Sequence, residues 1–129
     1  MKIDLEVRDY ECDVQGIVNN AVYLNYLEHA RHKYLLAKDI DFVSLASENK
    51  NLVIKEAQYS YHQALKPDDK FTVETYAEAE GKLKIIFLQK IYRKQELVLS
   101  ARIIGVCVDF RTNKIFKISS IATPSLFQN

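Results

Sequence analysis

The sequence predicts an α+β fold in which a curved antiparallel sheet wraps around one long helix. A single segment, from Ala21 to about Lys38, has the three- and four-residue apolar spacing of an α-helix. From Leu52 onward the apolar period becomes two, which is typical of β-strands. Strands 83–92 and 97–108 are apolar on both faces, which a sheet with one solvated face does not require. We therefore expect the helix to cover one face, and a helix, a partner subunit or a ligand to cover the other.

The order of strands follows from the alternation of apolar residues and from the turns between them. Apolar and polar residues alternate over Lys2–Arg8, which predicts a strand ahead of the helix. After the helix, Asp39–Ser47 is expected to form a loop and a short helical turn. Pro67 and the two aspartates that follow it predict a turn between the next two strands, because proline has no N–H to donate to a sheet and aspartate favours turns. The strands predicted after the helix are 52–62, 71–80, 83–92, 97–108 and 115–118. This order favours a curved meander around the single helix.

The helix is amphipathic, with a clear core-facing stripe. Asn19 or Asn20 is suited to cap its start, because a short side-chain oxygen can accept a bond from a free amide of the first turn. The predicted core stripe is Tyr23, Tyr26, Leu27, Ala30, Tyr34 and Ala37, and the predicted polar side carries Asn25, Glu28, His29 and His32.

Length and composition narrow the function classes. The 129 residues, of which 48% are hydrophobic and 27% charged, predict a single globular domain over 1–129. The net charge of +1 and the scattered lysines and arginines predict neither a nucleic-acid nor a membrane partner. Cys12 and Cys107 lack the spacing of a metal or disulfide motif, so we expect two free thiols. The N-terminus does not have the pattern of a signal peptide, and the expected location is the cytoplasm.

The residues just before the helix form the candidate site. Asp13 precedes the helix start, where unpaired N–H groups and the positive end of the helix dipole collect. A carboxylate that faces oriented N–H donors suits acyl transfer. Gly16 allows a tight turn and a close backbone approach to a ligand. The structural alternative is that Asp13 only stabilises a turn that Gly16 makes.

A longer pattern around these residues resembles a known family. The pattern is Tyr10-x-x-x-Asp13-x-x-Gly16-Ile17-Val18-x-x-x-x-Tyr23-x-x-Tyr26-x-Glu28-x-Ala30-Arg31. It resembles the opening motif of the hot-dog fold thioesterases, specifically the 4-hydroxybenzoyl-CoA thioesterase-like group. The resemblance continues through Tyr61 to Asp69 and through Val108-Asp109 to Lys114. The Val18-Asn19-Asn20 run looks more like the plant acyl-lipid thioesterases that act on acyl-carrier-protein thioesters.

The resemblance implies a hot-dog fold and a role for several residues. Asp13 matches the catalytic carboxylate, which acts as nucleophile or as base toward water. Asn20 matches the position whose backbone N–H polarises the thioester carbonyl, and Gly16 and Asn19 shape the loop. The implied reaction is hydrolysis of an acyl-CoA or acyl-carrier-protein thioester, without metal or organic cofactor. The residues expected to bind substrate are Tyr23, Tyr26, Tyr59 and His62.

The resemblance also implies an assembly. Hot-dog proteins join their sheets edge to edge as dimers, which often pair into tetramers, with acyl sites between subunits. We therefore expect a homo-oligomer, either a dimer or a tetramer, in which Asp13 of one chain faces residues near Tyr59–His62 of another.

Several alternatives compete with this interpretation. His29 and His32 are three residues apart and could share a metal ion, but no third ligand has recognisable spacing. Cys12 could be a nucleophile, although no histidine is spaced to activate it, so we expect packing. Glu28 is expected to orient the loop. A hot-dog dehydratase or hydratase has a histidine before or at the start of the helix, where this chain has none, and a non-catalytic acyl- or carrier-binding module is a further alternative.

Overall fold

The computed structural model describes residues 1–128, and the predicted α+β architecture is confirmed. Each predicted element exists, and its ends agree with the prediction to within two residues. Two short 3-10 turns, Asp9–Glu11 and Ile118–Ser120, complete the chain. The elements are β1 (Lys2–Glu6), α1 (Val22–Ala37), α2 (Phe42–Ser47), β2 (Asn51–Tyr61), β3 (Lys70–Glu80), β4 (Lys84–Arg93), β5 (Glu96–Asp109) and β6 (Lys114–Phe116).

The sheet is antiparallel, and its strand order is β1-β3-β4-β5-β2, with β6 paired to the end of β5. A simple meander would place β2 beside β3, and the structure corrects that expectation. Only β3, β4 and β5 follow one another as neighbours, while β2 pairs with the far side of β5. Residues 62–69 therefore connect the two sides of the curved sheet, with Leu65 fully buried along the way.

A β-bulge in β2 changes which of its residues face the helix. Simple alternation predicts Val53 on the same face as Ala57, Tyr59 and Tyr61. The register instead shifts between Ile54 and Glu56, so Val53 lies opposite Val106. An extra residue in one strand reverses the side-chain alternation beyond it. Val53 is consequently on the outer face of the sheet, away from α1.

The core lies between α1 and the inner face of the sheet. Five of the six residues in the predicted helix stripe are buried, and Leu35 takes the place of Ala37, which is exposed at the last turn of α1. The predicted polar side of the helix is exposed at all four positions. Facing the helix are the buried side chains of β3, β4 and β5, which include Phe71, Val73, Ala77, Ile85, Phe87, Ile91, Leu99 and Ile103.

The outer face of β4 and β5 is apolar, as predicted, but much of it is already buried within this chain. Ile86, Ile104 and Val106 are 1%, 4% and 6% exposed. These three side chains are not part of the main core between the sheet and α1. Leu88, at 38%, is the exposed apolar residue beside them. The apolar character of this face therefore gives weaker support for a second covering layer than the sequence pattern predicts.

A polar network crosses the core beneath α1. The side chain of Gln89, 1% exposed, donates from Nε2 to the Leu27 carbonyl and to Thr75 Oγ1, each at 3.0 Å. Its Oε1 accepts a bond from Arg31 Nη1, also at 3.0 Å. Burial lowers the pKa of the Arg31 guanidinium. Because buried polar atoms are costly unless they are bonded, Gln89 fixes α1 against β3 and β4 at one register.

The far end of α1 is held by the C-terminal segment. The Tyr34 hydroxyl donates to the Leu126 carbonyl at 2.6 Å, and Thr123 Oγ1 donates to the Lys38 carbonyl at 2.6 Å. Leu126 is fully buried. Within residues 1–128, none of the helices has both the length and the apolar content needed to span a bilayer.

We predict that Gln89→Leu lowers the free energy of unfolding by about 2–4 kcal/mol, because Thr75 and Arg31 lose buried partners that an apolar side chain cannot replace. Urea denaturation measures this directly. The matched control is Gln58→Leu on the exposed part of β2, which should change stability by no more than about 0.5 kcal/mol. Equal effects of the two substitutions would contradict the role given to Gln89.

Candidate active site

The loop that carries Asp13 is a tight hairpin. The amide of Asp13 donates to the Ile17 carbonyl at 2.9 Å, and the amide of Gly16 donates to the Asp13 carbonyl at 3.0 Å. Cys12 and Val18 form an isolated antiparallel bridge just outside this turn. Gly16 has a φ of +78°, a conformation that costs an L-residue free energy and that glycine adopts freely. Glycine therefore suits this turn, and the role of Gly16 in shaping the site loop stays a prediction.

Only one of the two carboxylate oxygens of Asp13 accepts a hydrogen bond from the described residues. Its Oδ1 accepts a bond from the amide of Gln15 at 2.8 Å, which stabilises the turn. Its Oδ2 has no hydrogen-bond donor among residues 1–128, and the side chain is half-buried. One oxygen therefore fixes the direction of the carboxylate, and the other remains free to meet a water molecule or a substrate.

Asn19 and Asn20 connect this hairpin to α1. The prediction that one of them is the N-cap is corrected, because α1 begins at Val22 and its N-cap is Ala21, which has no side-chain cap. Asn19 nevertheless bonds at the helix start: its Oδ1 accepts from the Ala21 amide at 3.0 Å, and its carbonyl accepts from Val22 at 2.9 Å. The amide of Asn20 has no acceptor within residues 1–128. An oxyanion site requires a free N–H of this kind, and the role of Asn20 in such a site stays a prediction.

Two hydrogen bonds fasten the hairpin to the connection between β2 and β3. The amide of Val18 donates to the Leu65 carbonyl at 2.8 Å. In return, the amide of Leu65 donates to the hydroxyl of Tyr23 at 2.9 Å. Burial raises the pKa of Tyr23, so its hydroxyl stays neutral and polar. The start of α1 and residues 62–65 are thereby held as one unit.

These segments enclose a groove of about 480 Å³, which we call the Asp13 groove. It brings together four of the predicted site residues: Asp13, Asn20, Tyr23 and His62. The ring of His62 contacts Ser100 Oγ at 3.2 Å. The remaining lining residues are Gln15, Ile17, Val18, Tyr61, Gln63 and Ala64.

Tyr26 and Tyr59, which we also expected to bind substrate, lie outside the Asp13 groove. Tyr26 donates to Glu11 Oε1 at 2.8 Å, and burial together with this bond raises its pKa. Tyr59 lies on the inner face of β2, opposite Ala101, and is half-buried. Their contact with substrate stays a prediction.

Tyr26 lines a larger groove between β1 and the start of α1, with a volume of about 890 Å³. Five carboxylates surround that groove: Asp4, Glu6, Asp9, Glu11 and Asp68. Such a concentration of negative charge repels an anionic thioester carrier. The smaller Asp13 groove is therefore the better candidate for thioester chemistry.

Arg93 holds the far wall of the Asp13 groove in place. Its Nη1 donates to the Ala64 carbonyl at 3.0 Å and to Asp69 Oδ2 at 2.8 Å, and its Nη2 donates to Gln63 Oε1 at 2.9 Å. Partial burial acts to raise the pKa of Asp69, but the Lys66 amide and Arg93 outweigh it and hold that pKa below its ordinary value. Asp69 is therefore ionised at neutral pH, and the guanidinium joins the end of β4 to the groove.

The side chains considered as alternatives lie in less reactive settings. Partial burial and the carboxylates of Glu11 and Asp13 raise the pKa of the Cys12 thiol, so it is protonated at neutral pH and a weak nucleophile. The ring of His32 packs edge-on against that of Phe42, with 5.1 Å between centroids, and its Nε2 lies 3.8 Å from Glu28 Oε1. Glu28 thus pairs along the exposed face of α1, and the expected contact with the loop is not among its bonds in this structure.

Sequence reasoning missed two residues of this site. Tyr61 lines the Asp13 groove, and its hydroxyl donates to the Asn20 carbonyl at 3.0 Å. Its place between the predicted Tyr59 and His62 was the available signal. Arg93 gave no signal, because its partners at positions 63, 64 and 69 are distant in the sequence.

Comparisons with known proteins identify the family of this chain. The family model of the thioesterase-like superfamily matches residues 7–124. The long-chain acyl-CoA thioesterase FadM of Escherichia coli is 31% identical over 116 residues, which are 88% of this chain and 87% of FadM. The chloroplastic acyl-acyl carrier protein thioesterase ATL3 of Arabidopsis thaliana is 35% identical over 122 residues, which are 93% of this chain. The chain spans 64% of the length of ATL3 and 58% of that of its relative ATL2.

Solved structures share the fold over nearly the whole chain. YbaW of Escherichia coli, described as a probable thioesterase, superposes with a TM-score of 0.80 at 28% identity, covering 98% of this chain and 92% of its own. A hypothetical protein from Aquifex aeolicus superposes with a TM-score of 0.86 at 24% identity, covering 95% and 99%. The predicted hot-dog fold is confirmed, and the chain belongs to the thioesterase-like superfamily.

Proposed function

We propose that this chain hydrolyses an acyl thioester, releasing a carboxylic acid and a free thiol. The observation that carries the proposal is the pairing, in one groove, of a carboxylate with a free oxygen and a backbone amide with no partner. A thioester is already activated, so one ionised carboxylate and one oriented donor suffice for its hydrolysis.

The amide of Asn20 serves the carbonyl oxygen of the substrate. As the carbonyl carbon is attacked, negative charge builds on this oxygen, and a fixed N–H stabilises that charge more than it stabilises the uncharged thioester. The adjacent start of α1 contributes the positive end of its dipole. Because the amide is already held in place, little reorganisation is needed during the reaction.

Asp13 serves the carbonyl carbon by one of two routes. As a base, it takes a proton from a water molecule while the water oxygen attacks the carbon and the thiolate leaves. As a nucleophile, its oxygen attacks the carbon and expels the thiolate, and water then hydrolyses the acyl-enzyme anhydride. Both routes use the free Oδ2 and give the same products.

The proposed substrates are thioesters of coenzyme A or of acyl-carrier protein. FadM and YbgC among the relatives are named for acyl-CoA, whereas ATL3 and ATL2 are named for acyl-carrier protein. Ile17 and Val18 line the Asp13 groove and offer apolar contact to an acyl chain. No metal or organic cofactor is part of this proposal.

A second candidate function is dehydration or hydration of an acyl thioester. One observation favours it: His62 and Asp13 line the same groove, which would give such a reaction its acid and base. The dehydratases that this fold resembles have a histidine before or at the start of the helix, whereas His62 lies just after the end of β2. A non-catalytic acyl-binding module remains the alternative from a different class.

We propose that the working form is a homo-oligomer, a dimer or a tetramer. The support is β2, an edge strand of eleven residues whose outer side has no partner strand within residues 1–128. A long free edge readily pairs with a second strand. Tyr61 and His62 of the same chain already line the Asp13 groove, so a second copy on β2 would extend this groove rather than supply those two residues.

We also propose a reducing compartment such as the cytoplasm. Cys12 and Cys107 are both free thiols, and Cys107 is buried. Unpaired cysteines persist where glutathione and thioredoxin keep thiols reduced.

We predict that Asp13→Asn lowers kcat by about 10²–10⁴, the usual range for the loss of a carboxylate base. The asparagine oxygen can still accept from Gln15, so the fold should be retained. The assay uses short-, medium- and long-chain acyl-CoA and acyl-carrier-protein substrates, together with a 3-hydroxyacyl thioester, and follows thiol release and dehydration separately.

The matched control for this substitution is Asp41→Asn. Asp41 accepts from the Val43 amide at 3.0 Å, as Asp13 does from Gln15, but lies at the start of α2 outside the groove. It should retain wild-type turnover. A folded Asp13→Asn variant with wild-type kcat would remove Asp13 from the mechanism. Dehydration without thiol release would favour the second candidate, and inactivity of the wild type on all substrates would favour a binding module.

We predict that the protein is a dimer or tetramer at micromolar concentration and that thioesterase activity falls when it dissociates. Light scattering and activity are measured together across a dilution series. A fully active monomer would contradict the proposed assembly while leaving the role of Asp13 intact.

A further inference from the structure

Tyr61 holds a position that the proposed chemistry does not yet use. It is the last residue of β2, lies opposite Leu99 on the inner face of the sheet, and lines the Asp13 groove. The side chain is 49% exposed, yet its hydroxyl is committed to the Asn20 carbonyl at 3.0 Å. A half-exposed tyrosine rarely needs a partner other than water, so this bond from a strand to the loop 41 residues earlier requires an explanation.

We propose that Tyr61 is a positioning residue for the oxyanion site: its hydroxyl fixes the backbone of Asn20 so that the free Asn20 amide points into the groove. This inference rests on the proposed thioester hydrolysis, because it assigns the residue that orients that reaction's hydrogen-bond donor. Tyr61 itself need not touch the substrate.

Two peptide groups meet at Asn20, and the second of them receives the bond from Tyr61. The first, which carries the Asn20 N–H, is held through the Asn19 carbonyl, which accepts from the Val22 amide at 2.9 Å. After it, the amide of Ala21 donates to Asn19 Oδ1 at 3.0 Å. The Tyr61 hydroxyl is the partner of the Asn20 carbonyl among residues 1–128. Without the Tyr61 bond, the Asn20–Ala21 peptide group loses one of its two anchors. Because both peptide groups share the Asn20 Cα, the direction of the Asn20 N–H is then less narrowly fixed.

The tyrosine ring is held rigidly enough to act as a support. It packs edge-on against the ring of Tyr23, with 5.5 Å between ring centroids and an interplanar angle of 74°. Tyr23 is in turn fixed, because its hydroxyl accepts from the Leu65 amide at 2.9 Å. The backbone of Tyr61 is paired with β5. The two neighbouring tyrosines thus have separate tasks: Tyr23 braces the groove wall, and Tyr61 braces the Asn20 peptide.

The rival explanation is that the Tyr61 hydroxyl leaves Asn20 and binds the substrate directly. The two roles differ kinetically. Loss of a contact made equally to bound substrate and transition state raises KM, whereas loss of amide orientation lowers kcat, since the oxyanion exists only in the transition state.

The test is Tyr61→Phe, which removes the hydroxyl and keeps the ring that packs on Tyr23. We expect kcat on the best thioester substrate to fall about five- to tenfold, as for the loss of one ordinary hydrogen bond, while KM stays within about twofold. The matched control is Tyr76→Phe, the same change on the outer face of β3 opposite Leu88, which should leave both parameters unchanged.

A second readout reports on the bond itself. The carbonyl carbon of Asn20 and the amide nitrogen of Ala21 share one peptide group, and their chemical shifts respond to a hydrogen bond at that carbonyl. In isotope-labelled protein, Tyr61→Phe should move both shifts, whereas Tyr76→Phe should not. Circular dichroism and Tm establish that both variants are folded.

The possible outcomes separate the inference from the function on which it rests. If the wild type is active and Tyr61→Phe has the same kcat, the role of Tyr61 is overturned and the proposed function stands. A rise in KM at constant kcat assigns Tyr61 to substrate contact and also overturns it, as do unmoved shifts at Asn20 and Ala21. A wild type inactive on every thioester overturns the proposed function and, with it, this inference.

Discussion

The geometry of the candidate site depends on a reciprocal pair of hydrogen bonds between two segments that are far apart in the sequence. The Val18 amide reaches the Leu65 carbonyl, and the Leu65 amide reaches the Tyr23 hydroxyl. Leu65 is fully buried, so neither bond competes freely with water. This pair holds the hairpin before α1 against the connection after β2, and the Asp13 groove is the space between them. If either segment moved, the groove that Asp13 and Asn20 line would lose one of its walls.

Asp13 and Asn20 each have one polar group that is bonded within the chain and one that is not. Asp13 uses one oxygen to stabilise its own turn and leaves the other free, so the structural and the catalytic interpretations of this residue are compatible. Asn20 is fixed through its carbonyl and leaves its amide free. In both residues a polar group that is satisfied lies beside one that is not. The unsatisfied groups would destabilise a sealed core, but they are useful in a groove that a substrate can enter.

Local features of this site could be predicted from the sequence, whereas contacts between distant segments could not. Asp13, Gly16 and Asn20 lie within eight residues of one another, and turn chemistry and the helix start limit what they can do. Tyr61 reaches the site only because β2 crosses to the far side of β5, and the meander expected from chain order hides that crossing. No pattern in the sequence predicts the bulge after Ile54 either, although this bulge places Val53 on the outer face of the sheet.

The most direct measurement is a crystal structure with a hydrolysis-resistant acyl-pantetheine analogue whose carbonyl replaces that of the thioester. The account predicts the carbonyl oxygen about 3 Å from the Asn20 amide nitrogen and the free Asp13 oxygen, or one water molecule bound to it, about 3–3.5 Å from the carbonyl carbon. An analogue whose carbonyl lies away from both groups, for example in the acidic groove beside Tyr26, would contradict the account.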